Sequence, residues 1–198
     1  MELVAAKPFS LVYRAADKAS YFKIYRGITP AARRDREVGG LALAARLGIS
    51  APAVRSTGQT EIGPWVEVRT VPGRPCAIKS RGSLESYVDS VLTTTNLLHL
   101  PAPSAPASAH RTQLLGQLTS RCQRFPWWEP LHAALADLGG APGVHLHGDL
   151  KPEHLFVEGN HLSVIDWESS TTGPAARDQA DAVFHVIRDL PFGGISPQ

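Results

Sequence analysis

Near its start the chain alternates apolar and polar residues in two short runs, "FSLVYRA" and "SYFKIYR", with "ADKA" between them. β-Branched and aromatic residues at a period of two, joined by a turn, predict a β-hairpin over residues 9–25. The period then lengthens. In "TPAARRDREVGGLALAARLGI" apolar positions recur at helical spacing after Thr29, a candidate N-cap, and Pro30, which suits a first helical position. A helix over 30–47 is expected, weakened in its middle by Gly39 and Gly40. "GPWVEVRTV" reads as a strand between Gly63-Pro64 and Pro72-Gly73. Leu84, Tyr87, Val88, Val91, Leu92, Leu97 and Leu98 mark an amphipathic helix over 83–99, which "PAPSAPAS" interrupts with the composition of a mobile connection. Helices are expected over 111–123 and 129–138, separated by "RFPWW", and over 177–190. Between them, "VHLHGDL", "HLFVEG" and "HLSVIDWE" read as strands and turns around a polar loop. Strands with one helix, followed mostly by helices with a small β insertion, make a bilobal α+β protein.

Composition narrows the class of function. The 198 residues are 43% hydrophobic and 19% charged, enough for one substantial domain or two closely packed lobes. Twenty Lys and Arg against 18 Asp and Glu leave a net charge of only +2. With no platform of aromatic and basic residues, no nucleic-acid partner is expected. Cys76 and Cys122 are far apart and form no CxxC pair, so neither a zinc site nor a disulfide framework is indicated, and a reducing cytoplasmic setting is expected. The N-terminus lacks the charged and apolar segments of a leader, and nowhere do eighteen apolar residues run together, so no membrane association is expected.

The stretch "HGDLKPEHLF" carries the candidate chemistry. Asp149 is followed seventeen residues later by Asp166 in "IDWE", at the end of an apolar strand, with "VEGN" as the turn between two strands. Two carboxylates placed this way can face one cleft. Phosphoryl transfer to a hydroxyl needs such a pair: one carboxylate orients the acceptor and takes its proton, the other holds metal on the phosphates. Lys23, in mid-strand, has the reach to touch phosphates, although the polar face of an edge strand also accommodates a lysine there.

The segment "VHLHGDLKPEHLFVEGNHLSVIDWESSTTGPAARDQADAV" resembles the catalytic half of aminoglycoside phosphotransferases, a branch of the protein-kinase-like superfamily that includes choline kinases. The resemblance implies a protein-kinase-like fold with a reduced N-lobe sheet over 1–73 and a truncated helical C-lobe over 74–198. It also implies ATP with Mg²⁺, or alternatively Mn²⁺. On that basis Asp149 is the catalytic base, Lys151 contacts the γ-phosphate, and Asp166 holds metal in the place of a "DFG" aspartate. Asp178 braces the catalytic loop, with His147 as a further bracing residue. Lys23 pairs with Glu37 and grips the nucleotide, while the backbone of Glu67 and Val68 holds adenine. Gly148 stands where many protein kinases carry arginine, so no activation by loop phosphorylation is expected.

Three departures accompany the resemblance. His154 replaces the family's metal-binding asparagine; imidazole coordinates divalent ions but favours softer ones than Mg²⁺. No G-x-G-x-x-G loop precedes Lys23, and Ser10 in "KPFSLVYR" is the expected substitute contact to phosphate. Few residues follow Leu190, so a protein partner is expected to complete the substrate site. The acceptor is a small-molecule hydroxyl or a peptide Ser/Thr, the latter within a peptide-modifying complex. The rival reading is a pseudokinase-like subunit that docks a peptide or protein without transfer.

Overall fold

The computed structural model describes residues 1–102, 119, 123–126, 128–137 and 143–189. The helix expected at 111–123 lies outside them save Thr119 and Gln123, as do Trp127, Cys122 and the proline-rich connection past residue 102.

Five antiparallel strands form the first lobe in the order β1-β2-β3-β5-β4: β1 (Glu2–Lys7), β2 (Ser10–Arg14), β3 (Ser20–Tyr25), β4 (Val54–Gln59) and β5 (Pro64–Arg69). The expected hairpin is β2 and β3, with Val12 opposite Lys23. β1 and β4 are the two edges and were not legible as strands. "ELVAAK" is nearly all exposed and "VRSTGQ" mostly so, which removes the burial that makes alternation visible. Helix α1 (Pro30–Arg46) crosses behind the sheet. Thr29 precedes it in a left-handed conformation, and its side chain makes no capping bond; its carbonyl accepts from Arg33 N–H instead. Gly40 does not break the helix. A Cβ there would lie 2.6 Å from Ser170 Oγ and 2.9 Å from Trp167 Cβ, so glycine is what lets α1 press against the segment after Asp166.

A short strand β6 (Arg74–Pro75) leads into the second lobe, where α2 (Arg81–Leu98) begins in a capping box. Ser80 Oγ accepts from Ser83 N–H, and Ser83 Oγ accepts from Ser80 N–H. Its apolar stripe is wider than its buried face: Tyr87, Val91 and Leu98 are buried, Val88, Leu92 and Leu97 exposed. Then come α3 (Trp128–Asp137), β7 (Val144–Leu146), the hairpin β8 (Leu155–Glu158) and β9 (His161–Val164), β10 (Thr171–Gly173) and α4 (Ala176–Asp189). Trp128 is buried, tilted against the His132 ring at 5.3 Å, which is a packing role. One core joins the lobes: Leu41 and Ala44 of α1, Tyr87 and Val91 of α2, and Leu150, Leu155, Val164 and Trp167 share a cluster. Among the described residues, no helix is long and apolar enough to cross a membrane.

Candidate functional site

The site lies at the edge of that core, where β3 and α1 of the first lobe meet the turns that carry Asp149 and Asp166. On β3, Phe22 turns to one face against Trp65, while Lys23 and Tyr25 are buried on the other, toward α1. Lys23 Nζ is 2.7 Å from Glu37 Oε2, 2.5 Å from Asp166 Oδ1 and 3.0 Å from Glu168 Oε2. Tyr25 donates its hydroxyl to Glu37 Oε2, and Arg33 clamps Glu168 with bonds of 2.8 and 2.9 Å. Burial opposes the charge on Lys23, but Glu37, Asp166 and Glu168 outweigh it and hold its pKa above the ordinary lysine value. Burial, reinforced by the Asp166 charge, pushes Glu37 up against the pull of Lys23. Asp166 sits well below the usual carboxylate range, because His154 and Lys23 overcome its burial.

Asp166 has φ 63° and ψ 61°, a left-handed conformation rare for residues other than glycine. Such a conformation costs on the order of 1 kcal/mol and persists where surrounding contacts over-determine it. Here the ion pair to Lys23, the contact to His154 and the burial of Trp167 supply them.

Asp178, fully buried at the start of α4, holds the loop that carries Asp149. Its carboxylate accepts from His147 N–H at 3.0 Å and Gly148 N–H at 2.8 Å, and faces His99 Nε2 at 3.1 Å. Below the loop Tyr87 donates to Leu150 O at 2.6 Å. His147 Nε2 donates to Ile165 O and its Nδ1 accepts from Asp149 N–H, a bonding pattern that fixes a neutral tautomer. Burial, with His154 nearby, lowers the His147 pKa to about 4. The unfolded chain therefore binds a proton that the native chain refuses between pH 6.5 and about 4. Stability from this group is complete above pH 6.5 and falls as pH drops, by about 3 kcal/mol in all. Urea unfolding across this range is expected to show that slope in the wild type and a flatter one in His147→Gln.

Gly148, at φ 80°, has no room for a side chain: a Cβ would lie 2.4 Å from Ser169 O. The absent loop arginine thus has a steric reason. Gly148→Ala is expected to lower stability by about 2–4 kcal/mol through left-handed strain and overpacking, measurable as a lower denaturation midpoint at unchanged m-value.

The two carboxylates meet at one side chain. His154, 3% exposed, donates Nδ1–H to the backbone carbonyl of Asp149 at 3.0 Å, lies 3.5 Å from its Oδ2, and sets Nε2 3.1 Å from Asp166 Oδ2. Lys151 Nζ lies 3.0 Å from Asp149 Oδ2. Lys23, Glu37, Asp166, His154, Asp149 and Lys151 therefore form one connected set. Ser10, Glu67 and Val68 are placed differently. Ser10 is buried at the head of β2 opposite Tyr25, with only 2% exposed. Glu67 and Val68 lie inside β5, whose backbone is engaged on both sides by β3 and β4; the Glu67 carboxylate accepts from Ser56. The chain leaves β5 only after Arg69. Glu168 and Lys7, whose Nζ stands 3.9 Å from Asp166 Oδ2, were missed by the sequence reading. The available signal for Glu168 was its place two residues after Asp166, where a "DFG" motif has glycine.

Glu37, Asp166 and Glu168 have ligand atoms within 4.8 Å of one another, but the Lys23 ammonium already occupies their midst. The donors placed for a divalent ion are Asp166 Oδ2, which suits a hard ion, and His154 Nε2 at 3.1 Å from it, which suits a softer one.

A family model described as the phosphotransferase enzyme family matches residues 9–193. Among solved structures, wild-type aminoglycoside 2'-phosphotransferase-IIIa in complex with GDP is 15% identical, over 98% of this chain and 76% of that one, with a TM-score of 0.67. Aminoglycoside phosphotransferase APH(3'')-Id from Streptomyces rimosus is 20% identical, over 94% and 77%, with a TM-score of 0.67. A choline/ethanolamine kinase family protein from Mesorhizobium loti is 17% identical, over 98% and 64%, with a TM-score of 0.63. No curated protein matches the chain. The architecture is the bilobal protein-kinase-like one, with a five-stranded first lobe and a short helical second lobe.

Proposed function

We infer the activity from kinship and geometry together: this chain belongs to the phosphotransferase enzyme family, and its reading as a nucleotide-dependent kinase of hydroxyl groups follows. The observation that carries it is the unbroken run of contacts from Lys23 through Asp166 and His154 to Asp149, which links both lobes. Complexes with GDP, ATP and ADP among the similar structures support a nucleotide donor, and the ATP and ADP complexes favour ATP. Lys23, steadied by Glu37, would hold the phosphates. The stretch 71–73, beyond the end of β5 and past the Thr70 N–H that bonds Ala19 O, would offer backbone to the base in place of Glu67 and Val68. Asp166 with His154 would hold Mg²⁺ or Mn²⁺, which when bound offsets the charge of the β- and γ-phosphates.

Asp149, 29% exposed, would orient the acceptor hydroxyl and take its proton as the new oxygen–phosphorus bond forms. The bond between the β–γ bridging oxygen and the γ-phosphorus breaks, and the nucleoside diphosphate leaves with that electron pair. Lys151, beside Asp149, would balance charge on the moving group. A small-molecule alcohol is the preferred acceptor; a peptide Ser or Thr is the alternative. The test is γ-phosphoryl transfer by the purified chain with Mg²⁺ or Mn²⁺, using amino sugars, choline-like alcohols and Ser/Thr peptides. Transfer to one acceptor class is expected. Nucleotide binding without transfer to any would favour a docking subunit.

A further inference from the structure

His185 has no part in the roles above, yet it faces the same carboxylate. It stands seven residues after Asp178 on α4, two helical turns further along. The helix that braces the loop backbone through Asp178 therefore also presents a side chain to Asp149. Nε2 of His185 is 3.5 Å from Asp149 Oδ1. The other oxygen, Oδ2, has Lys151 Nζ at 3.0 Å and His154 Nδ1 at 3.5 Å. His185 is thus the side-chain nitrogen that the described residues bring to Oδ1.

The ring's protonation follows from its surroundings. His185 is buried, 8% exposed, and its Nδ1 has no hydrogen-bond partner among the described residues. A carboxylate offers only lone pairs, so the nitrogen turned to it must carry the proton. That leaves Nδ1 bare in a neutral ring. An unpaired buried lone pair costs less than an unpaired buried N–H on a cation. Burial, together with the Arg188 charge, keeps the imidazole below the ordinary histidine pKa, in keeping with a neutral ring.

We propose that His185 is the positioning residue of this site, its Nε2–H aimed at Asp149 Oδ1 so that the carboxylate is held from both sides, by His185 on one oxygen and by Lys151 on the other. Rotation about the carboxylate's own bond would otherwise cost little, because Lys151 is a flexible stem that follows its partner. With both oxygens held, one lone pair of Asp149 stays directed at the acceptor hydroxyl. A separation of 3.5 Å in the free protein shortens when the reacting groups are in place. This inference rests on the phosphotransferase reading, and its test separates the two.

The experiment compares wild type, His185→Leu and His185→Gln, because glutamine keeps an N–H donor near the Nε2 position and leucine keeps only bulk. Loss of a partner that orients a metal ligand typically costs about 10–100-fold, and loss of one that orients the base is expected to be of the same order. His185→Leu is therefore expected to lower kcat about 10–100-fold at an unchanged melting temperature, with the nucleotide KM within about twofold; His185→Gln is expected to recover most of the loss. A long-range ¹H–¹⁵N spectrum of the wild type is expected to report the Nε2–H tautomer. Wild-type kcat in His185→Leu, or equal losses in both variants, would overturn the proposal. A ring protonated only at Nδ1 would overturn it even if no acceptor is found, the case in which the phosphotransferase reading fails while the tautomer still decides.

Discussion

Asp149→Asn is expected to lower kcat for phosphoryl transfer by about 10³-fold while leaving the nucleotide KM within a few-fold. Asparagine matches aspartate in shape but is neutral, so it cannot take the proton and gives up the ion pair with Lys151. The loop that carries it is held by backbone and by other side chains: Asp178 on His147 and Gly148, and Tyr87 on Leu150. The substitution therefore leaves the frame intact, and a melting temperature near that of the wild type is part of the expected result. Lys23, Glu37 and Asp166 are untouched, so nucleotide binding by titration calorimetry should persist. Full transfer by Asp149→Asn would remove this carboxylate from the chemistry.

Lys23→Met is expected to have the largest effect on stability as well as abolishing nucleotide-dependent activity. Lys23 is the cation that Glu37, Asp166 and Glu168 share, and Glu37 is 5% exposed. Taking one partner from a buried ion pair costs about 3–5 kcal/mol, since the remaining charge is left without compensation. Tyr25 alone then answers Glu37, while Arg33 keeps Glu168. Lys23→Met/Glu37→Gln should regain much of that stability, by removing the orphaned charge, and none of the activity. Urea unfolding of the two variants separates a folding role from a binding role. The sign with pH follows from the raised lysine pKa: its stabilisation is complete below the unfolded value of 10.5 and is lost as pH rises past it. The wild type should therefore lose stability above pH 10.5 in a way the methionine variant does not.

Several features are legible in the sequence alone. The hairpin containing Lys23, the helix containing Glu37, and the order of Asp149, Asp166 and Asp178 are local signals, carried by a period of two, a period of 3.6 and a short motif. The edge strands β1 and β4 were not, since their residues are exposed on both faces and their pairing depends on β2 and β5 as templates. That Glu67 and Val68 lie inside a strand paired on both sides was not legible either, for a related reason. Whether a backbone group is free depends on which strands flank it, and "PWVEV" does not say that β3 and β4 lie on both sides of β5.

By itself, the sequence determined which side chains exist to do the chemistry, and which short elements carry them, because period and turn residues act over a few positions. Tertiary structure decided everything that depends on approach across long separations. It brought Glu168 and Arg33 onto the Lys23 cluster, set His154 between two carboxylates, and put His185 beside Asp149. It also allowed glycine alone at 40 and 148, where a neighbouring element comes within 2.6 Å or less of an added Cβ. Ion pairing and close packing fall off steeply with distance, and distance between residues far apart in the chain is a property of the fold.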